Sequence, residues 1–393
     1  MAASEEDLVR QAVGRLLADH DPQATEAPAF WGARFDAGLA WVGFPSGSGG
    51  RGVHPGLQVL VDDLLAEAAA PENWYRNPVG LGAVAAALVA HGTEDQRRRW
   101  LRRIFTCEDV WCQLWTEPGA GSDLAGLAST ARPDGDDGEA WVVSGHKRFS
   151  TLAHVARWGL LLARSHPDRP RHRGLTCFAV DLRSAGVEIR PTRQMDGDAE
   201  FAEVRLEGVR VPDADRVGDP GGGWEVAVTT LDHERLALAG PHRRQGSGPV
   251  AEALRLWRQG PGSDPVLRDH LAGAWIDAEA ARLTTARLRA TQGPDGPGAV
   301  GAVAKLLTAE VDQRVWELCV ELLGPAGALY DTWETGVPRS AGESRRDVRR
   351  AFLRSRALTI QGGTAEVVRT MLAERVLGLP PEPGPATPPG PTS

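Results

Sequence analysis

Two hydroxyls bracket a run of small residues in Thr116-Glu117-Pro118-Gly119-Ala120-Gly121-Ser122-Asp123, which continues the apolar stretch Trp111-Cys112-Gln113-Leu114-Trp115. Glycines let a backbone approach a ligand closely, and hydroxyls with exposed amides can bond its polar edges. That is the chemistry of holding a nucleotide, and taken alone the signal is moderately specific. Gln361-Gly362-Gly363-Thr364-Ala365-Glu366 has a related logic. Two glycines and a threonine at a helix start give a hydroxyl N-cap with free amides, suited to an anionic or polar cofactor group. A plain helix start and ordinary turn caps are the bland alternatives.

The side chain that could take a proton is Glu234. Trp224, Val228, Leu231, Arg235 and Leu238 recur as one helical stripe, with Glu234 at its edge and Asp232 and His233 pointing elsewhere. A carboxylate beside an apolar stripe is costly unless paired or functional, and burial raises its pKa toward that of a useful base. A structural ion pair with Arg235 or another arginine is the competing reading. His154 and His233 have no Ser or Cys partner at a recognisable spacing and read as surface or supporting residues.

These groups need elements to hold them. Helix-like patterns cover 5–17, 57–69 and 79–91, and the glycine-rich linker 44–52 reads as a tight surface connection. Short strand-like runs follow at 111–115, 140–144, 158–163, 175–181, 187–190 and 203–206, separated by polar loops. Helices return at 224–240, 249–257, 265–289, 300–323, 345–358 and 365–377. The expected class is α+β: an N-terminal α-helical domain (1–108), a central β-barrel domain (109–220), a C-terminal α-helical bundle (221–379) and a disordered Pro-rich tail (380–393).

The chain has 393 residues, 42% hydrophobic and 24% charged, which suits two or three packed domains. A net charge of −8 argues against nucleic acid as the main partner. No run of eighteen apolar residues predicts a membrane span, and residues 1–9 lack the apolar region of a secretory signal. Cys107, Cys112, Cys177 and Cys319 form no CxxC pair or metal-type spacing, so no metal is expected, only reduced, buried thiols in a cytoplasmic protein. Lysine occurs only at 147 and 305. That scarcity reads as genome composition.

The wording of 116–123 resembles the flavin-binding signature of the acyl-CoA dehydrogenase family, and the resemblance continues through most of the chain. Ser144-Gly145-His146-Lys147-Arg148-Phe149-Ser150-Thr151 is similar to the family's second flavin segment. Phe149 stands where the family usually packs a tryptophan against the ring, and Thr151 matches a threonine near the reactive nitrogen. Residues 361–366 are similar to the third segment. The resemblance implies FAD, with Gln113, Trp115, Thr116, Gly121, Ser122, Phe149, Thr151, Gly363, Thr364 and Glu366 around it. It implies Ser122, Arg235 and Gly362 beside the substrate. Met195-Asp196-Gly197-Asp198-Ala199-Glu200-Phe201 matches a family turn, read as structural or near the acyl pocket.

Dehydrogenating an acyl thioester needs a carboxylate for the α-proton, a flavin for the β-hydride, and donors on the thioester oxygen. Many members carry the glutamate just before the third segment's Gly-Thr, where this chain has Gly362. Others carry it on the first helix of the last domain. Leu231-Asp232-His233-Glu234-Arg235-Leu236-Ala237-Leu238 resembles theirs, with Glu234 at the matching position.

Two family elements are altered. An Arg-x-x-Phe-Gly element that reaches a neighbouring subunit's flavin corresponds to Arg255-Leu256-Trp257-Arg258-Gln259-Gly260-Pro261, and a Gly-Gly-x-Gly element appears as Gly324-Pro325-Ala326-Gly327. The cofactor's outer half is then held differently, with a homo- or hetero-oligomer expected. Three readings follow. The first is a dehydrogenase acting on an acyl-CoA or carrier-protein thioester, passing electrons to an acceptor such as an electron-transfer flavoprotein. The others are an oxygen-using flavin monooxygenase or N-oxygenase on the same fold, and a non-catalytic partner subunit.

Overall fold

The computed structural model describes residues 4–135, 138–240, 244–260, 262, 264–291, 298–329 and 347–381. Helix α1 (Glu5–Asp19) starts at a capping box, the Ser4 hydroxyl accepting from the Asp7 amide while Asp7 reaches back. It buries Val9, Ala12, Val13 and Leu16. Then come α2 (Ala27–Asp36), α3 (Gln58–Glu67), α4 (Ala85–His91) and α5 (Glu94–Phe105). A π-turn, Gly80–Val84, runs directly into α4. Helices α2 and α5 escape the sequence pattern. In α5, five arginines crowd the buried face of Trp100, Leu101, Ile104 and Phe105. The 44–52 linker is not wholly at the surface: Ser48, Gly49 and Gly50 are buried, and the Gly49 carbonyl accepts from Ala40 and Trp41.

The middle of the chain is sheet-rich. Strands β1 (Trp111–Leu114), β2 (Thr130–Pro133), β3 (Ala140–Thr151), β4 (Trp158–Arg164), β5 (Leu175–Asp181), β6 (Val187–Thr192), β7 (Phe201–Pro212) and β8 (Arg216–Val217) form one sheet. Its order is β6-β7-β3-β2-β4-β5-β8, with β1 joined to β4 in parallel. Strands β4 and β5 are buried on both faces and read as continuous apolar runs, whereas β2 shows one buried residue in four and left no usable alternation.

The last part is helical again: α6 (Gly223–Leu238), α7 (Pro249–Gln259), α8 (Pro265–Ala290), α9 (Gly298–Leu322), α10 (Val348–Ser355) and α11 (Ala365–Met371). Proline in the first turn of α7 and α8 removes an amide that has no intrahelical partner. The start of the helix expected at 345–358 and nearly all of the tail expected at 380–393 lie outside the described residues. Beyond Met371 the last helix continues as a π-turn, Leu372–Val376. Among the described residues no helix is long and apolar enough to cross a membrane.

One core runs from the first helices through the sheet into α6. Its hinge point is aromatic. Trp111 of β1 stacks on Trp158 of β4 at 5.8 Å, and Trp100 of α5 meets both edge-on at 5.3 and 5.4 Å. Fully buried Asn77 sets the start of β1, donating to the carbonyls of Ile104 and Asp109 and accepting from the Trp111 amide. Each of its bonds satisfies a backbone group that burial would otherwise penalise. Gln113, two residues on, is thereby aimed at α6. A second core fills the sheet and a third the C-terminal bundle.

Candidate active site

The chemistry converges on α6. Its buried residues include Gly223, Val226, Ala227, Thr230 and Arg235, while Trp224, Val228, Leu231 and Leu238 are only partly buried. The stripe expected from the sequence is therefore rotated. Gly223, Ala227, Thr230 and Glu234 fall at spacings of 4, 3 and 4, which puts the half-buried Glu234 in line with the buried residues of the helix. Oε2 of Glu234 accepts a 3.0 Å hydrogen bond from Nε2 of Gln113. Burial pushes the Glu234 pKa above the ordinary carboxylate value, against the opposing pull of the Gln113 bond and of the Arg235 and Lys305 charges.

The Gly362-Gly363 turn closes on the same carboxylate. Gly362 has φ +67°, a left-handed conformation that favours glycine, and a Cβ there would lie 3.8 Å from Oε1 of Glu234. The same Cβ would come within 2.7 Å of Cδ1 of Leu238. Buried Arg235 donates through Nε to the Gly362 carbonyl at 3.0 Å and through Nη1 to Asp232 at 2.9 Å. Its fork thus secures the turn and a neighbouring acid, and no bond to Glu234 is formed. The next carbonyl, of Gly363, accepts from Nζ of Lys305 at 2.7 Å. Thr364 is the N-cap of α11, accepting from the Val367 amide. Glu366, in the first turn, is exposed.

The glycine turn after β1 is anchored from below. Lys147 is fully buried, and its ammonium bonds Glu117 at 2.8 Å and the carbonyls of Leu162 and Trp115 at 2.9 and 3.3 Å. Burial, opposed by Glu117, pulls the Lys147 pKa down to about 8. Glu117 also accepts from the Ser129 and Ala128 amides and from the Ser129 hydroxyl. Gly119, Gly121 and Ser122 lie exposed above this anchor, and a Cβ on either glycine would meet nothing within 4 Å.

Strand β3 carries a bulge at the second segment. Its register with β7 slips between Lys147 and Ser150, and Phe149 inside the slip has φ +55°. A bulge turns a side chain out of the alternation, and the Phe149 ring is 55% exposed, edge-on to Phe201 at 6.4 Å. Two buried polar atoms nearby in sequence, Nε1 of Trp115 and Oγ of Ser150, have no partner among the described residues. Unpartnered buried donors beside an outward aromatic and an open glycine turn fit a planar, polar-edged group such as an isoalloxazine.

Hydrogen bonds link the three segments. The Arg148 amide donates to the Thr116 carbonyl, and the Leu152 amide, just past Thr151, donates to the Glu200 carbonyl. The Glu200 carboxylate accepts from Arg354 at 3.0 Å, and Arg354 reaches Gln361 at 3.4 Å. The turn 195–201 thus latches the sheet to α10, since Asp198 also pairs with Arg350 at 3.1 Å. Ser122 and Glu366 take no part in these links. His233 is held neutral by burial, its pKa pulled down to about 4. Cys112, Cys177 and Cys319 are buried and Cys107 partly so, all as free thiols.

Sequence reasoning missed Lys147 and Lys305. Both are almost wholly buried, at 0% and 2% exposure, in a chain whose other 42 basic residues are arginines. The signal was there. A compact point charge that survives only twice amid arginine, and is buried both times, points to a built role beyond genome composition.

Family models for the acyl-CoA dehydrogenase N-terminal, middle and C-terminal domains match residues 2–108, 112–209 and 221–377. Acyl-CoA dehydrogenase IpdE1 of Mycobacterium tuberculosis is 38% identical over 373 residues, covering 92% of this chain and 90% of the relative. Among solved structures, the Tcur3481-Tcur3483 steroid ACAD is similar with a TM-score of 0.73 and 26% identity, over 95% of this chain and 97% of that one. The ChsE4-ChsE5 complex from Mycobacterium tuberculosis is similar with a TM-score of 0.71 and 27% identity, over 97% and 100%.

Proposed function

The chain belongs to the acyl-CoA dehydrogenase family, flavin-dependent oxidoreductases acting on CH–CH groups, and from that premise we propose an FAD-dependent α,β-dehydrogenase of an acyl thioester, with Glu234 as the base. One observation carries the reading: the carboxylate of Glu234 stands where α6, β1 and the Gly362 turn meet, oriented by Gln113, and forms no ion pair among the described residues.

Bound flavin supplies the acceptor for the β-hydride. The residues we assign to hold it are Trp115, Thr116, Gly121 and Ser122 on the glycine turn, Phe149 and Thr151 on the bulged strand, and Gly363, Thr364 and Glu366 at α11. Support comes from the unpartnered Trp115 indole and the outward Phe149 ring. Gln113 orients one oxygen of Glu234, and the other, Oε1, lies toward Gly362. As an ionised carboxylate, Glu234 takes the α-proton and becomes the neutral acid that its buried position favours. Among the described residues no backbone group accepts from the Gly362 amide. That N–H is available to a thioester oxygen as negative charge develops there.

The substrate we propose is a thioester with a bulky, ring-bearing acyl group, the support being the steroid ACAD among the similar structures. We further propose a mixed assembly with a non-identical subunit. The ChsE4-ChsE5 complex supports it, as does the altered segment at 255–261. Anaerobic titration of the purified flavoprotein with a panel of acyl-CoA thioesters tests the reading. Flavin bleaching by steroid-type thioesters, with linear ones weaker, is expected. Product that forms only with oxygen would favour a monooxygenase, and protein that retains no flavin would favour a partner role.

A further inference from the structure

We infer that Lys305 is a positioning residue for this reaction: its ammonium clamps the Gly362-Gly363 turn against α6 and, with Arg235, keeps Glu234 ionised until the α-proton arrives. The inference rests on Glu234 being the base.

The geometry begins at Gly301 on α9. A Cβ there would lie 2.7 Å from the Asp232 carbonyl oxygen and 3.5 Å from Cβ of Arg235, so α9 meets α6 backbone to backbone. Lys305, one helical turn on, is delivered to the Gly363 carbonyl with 2% of its surface exposed, and its charge acts on Arg235 and Glu234. Two successive carbonyls of the turn are each held by a different cation, Gly362 by Arg235 and Gly363 by Lys305. Two buried cations side by side need counter-charge. Asp232 supplies one, at 2.9 Å from Arg235. The remaining acids that act on Lys305 are Glu234, Glu366 and Glu310; Glu366 is exposed and Glu310 is paired with Arg369.

Burial and the nearby Arg235 pull the Lys305 pKa down to about 8, so the ammonium persists at neutral pH. Its field opposes the effect of burial on Glu234. The other groups around the carboxylate are accounted for. Gln113 on β1 is uncharged, the Gly80–Val84 turn has no titratable side chain, and His233 is neutral. On α4, His91 bonds Thr229, and its pKa is lowered. Arg375, beyond α11, acts on Asp232. His172 lies against Trp224 at the far end of α6.

The test compares wild type, Lys305→Gln, Lys305→Arg and Glu234→Gln as flavin-loaded proteins. Single-turnover anaerobic bleaching by an acyl-CoA is followed against pH. Lys305→Gln keeps a donor for the Gly363 carbonyl and removes the charge, so the acid limb should move up by about 0.5–1 pH unit, with KM nearly unchanged and kcat lowered at neutral pH. Lys305→Arg should keep the limb near wild type. A denaturant double-mutant cycle between Lys305→Gln and Glu234→Gln reads the same coupling without turnover, and its coupling should be present at pH 7 and fade at pH 4. A wild-type acid limb in Lys305→Gln, or zero coupling in the cycle, overturns the inference while leaving the base in place. Wild-type bleaching by Glu234→Gln removes both.

Discussion

Glu234 and Gly362 serve one point in space: a Cβ on Gly362 would lie 3.8 Å from Oε1 of Glu234, although the two residues are 128 positions apart. A carboxylate can reach that point from either side, and this chain uses the helix. Glycine suits that point, since φ +67° strains a side chain and a Cβ, at 2.7 Å from Cδ1 of Leu238, would force that side chain to shift.

It follows that moving the acid across should fail on its own. Glu234→Gly with Gly362→Glu should fold poorly and bleach no faster than Glu234→Gln. Adding Leu238→Ala opens the space, and bleaching should recover roughly tenfold above that background, still far short of wild type because the turn stays strained. Equal activity of the two swaps would mean the clash is not what fixes the base on α6.

Much of this site could be read in the sequence. The three flavin-like segments and the carboxylate of Glu234 stood out because glycines, hydroxyls and an acid on an apolar helix are locally unusual. What stayed hidden depends on partners distant in the chain. Lys147 is explained by Glu117 and Lys305 by Gly363, thirty and fifty-eight residues away. The helical phase of Glu234 was misjudged because α6 packs on several neighbours, so hydrophobicity alone placed the buried face wrongly. Helix α5 escaped for a similar reason, its arginines pairing outward while only four large side chains turn inward.

The acid limb of the pH profile should lie above the usual carboxylate range. Burial raises the pKa of Glu234, and a base must be deprotonated, so kcat/KM should fall as pH drops through that raised value. Gln113 donates to the carboxylate and lowers its pKa. Gln113→Leu should therefore shift the limb to still higher pH. An unmoved limb would show that the 3.0 Å bond does not act on the working base.

Lys147→Met should damage the protein before it damages chemistry. It strands a buried Glu117 and leaves the Trp115 and Leu162 carbonyls without their donor. Breaking one side of a buried pair costs about 3–5 kcal/mol. Denaturant unfolding should show a loss of that size, and the released turn at 116–123 should retain FAD less tightly. Full stability with full flavin occupancy would remove the anchoring role.

Glu234→Gln should be more stable than wild type at neutral pH. A carboxyl whose folded pKa is raised favours folding when protonated, and that contribution is lost as pH rises through the raised value. The neutral amide avoids the loss. A Tm roughly 1–3 °C above wild type at pH 7.5, converging near pH 4, is the expected pattern. A lower Tm at pH 7.5 would mean that the ionised carboxylate is itself holding the fold.

The most direct test of Glu234 as the base is rapid anaerobic mixing of acyl-CoA with flavin-loaded wild type and Glu234→Gln. The variant should keep its FAD spectrum and bind the thioester, yet bleach at least about a hundredfold more slowly. Bleaching at the wild-type rate would place the proton acceptor elsewhere.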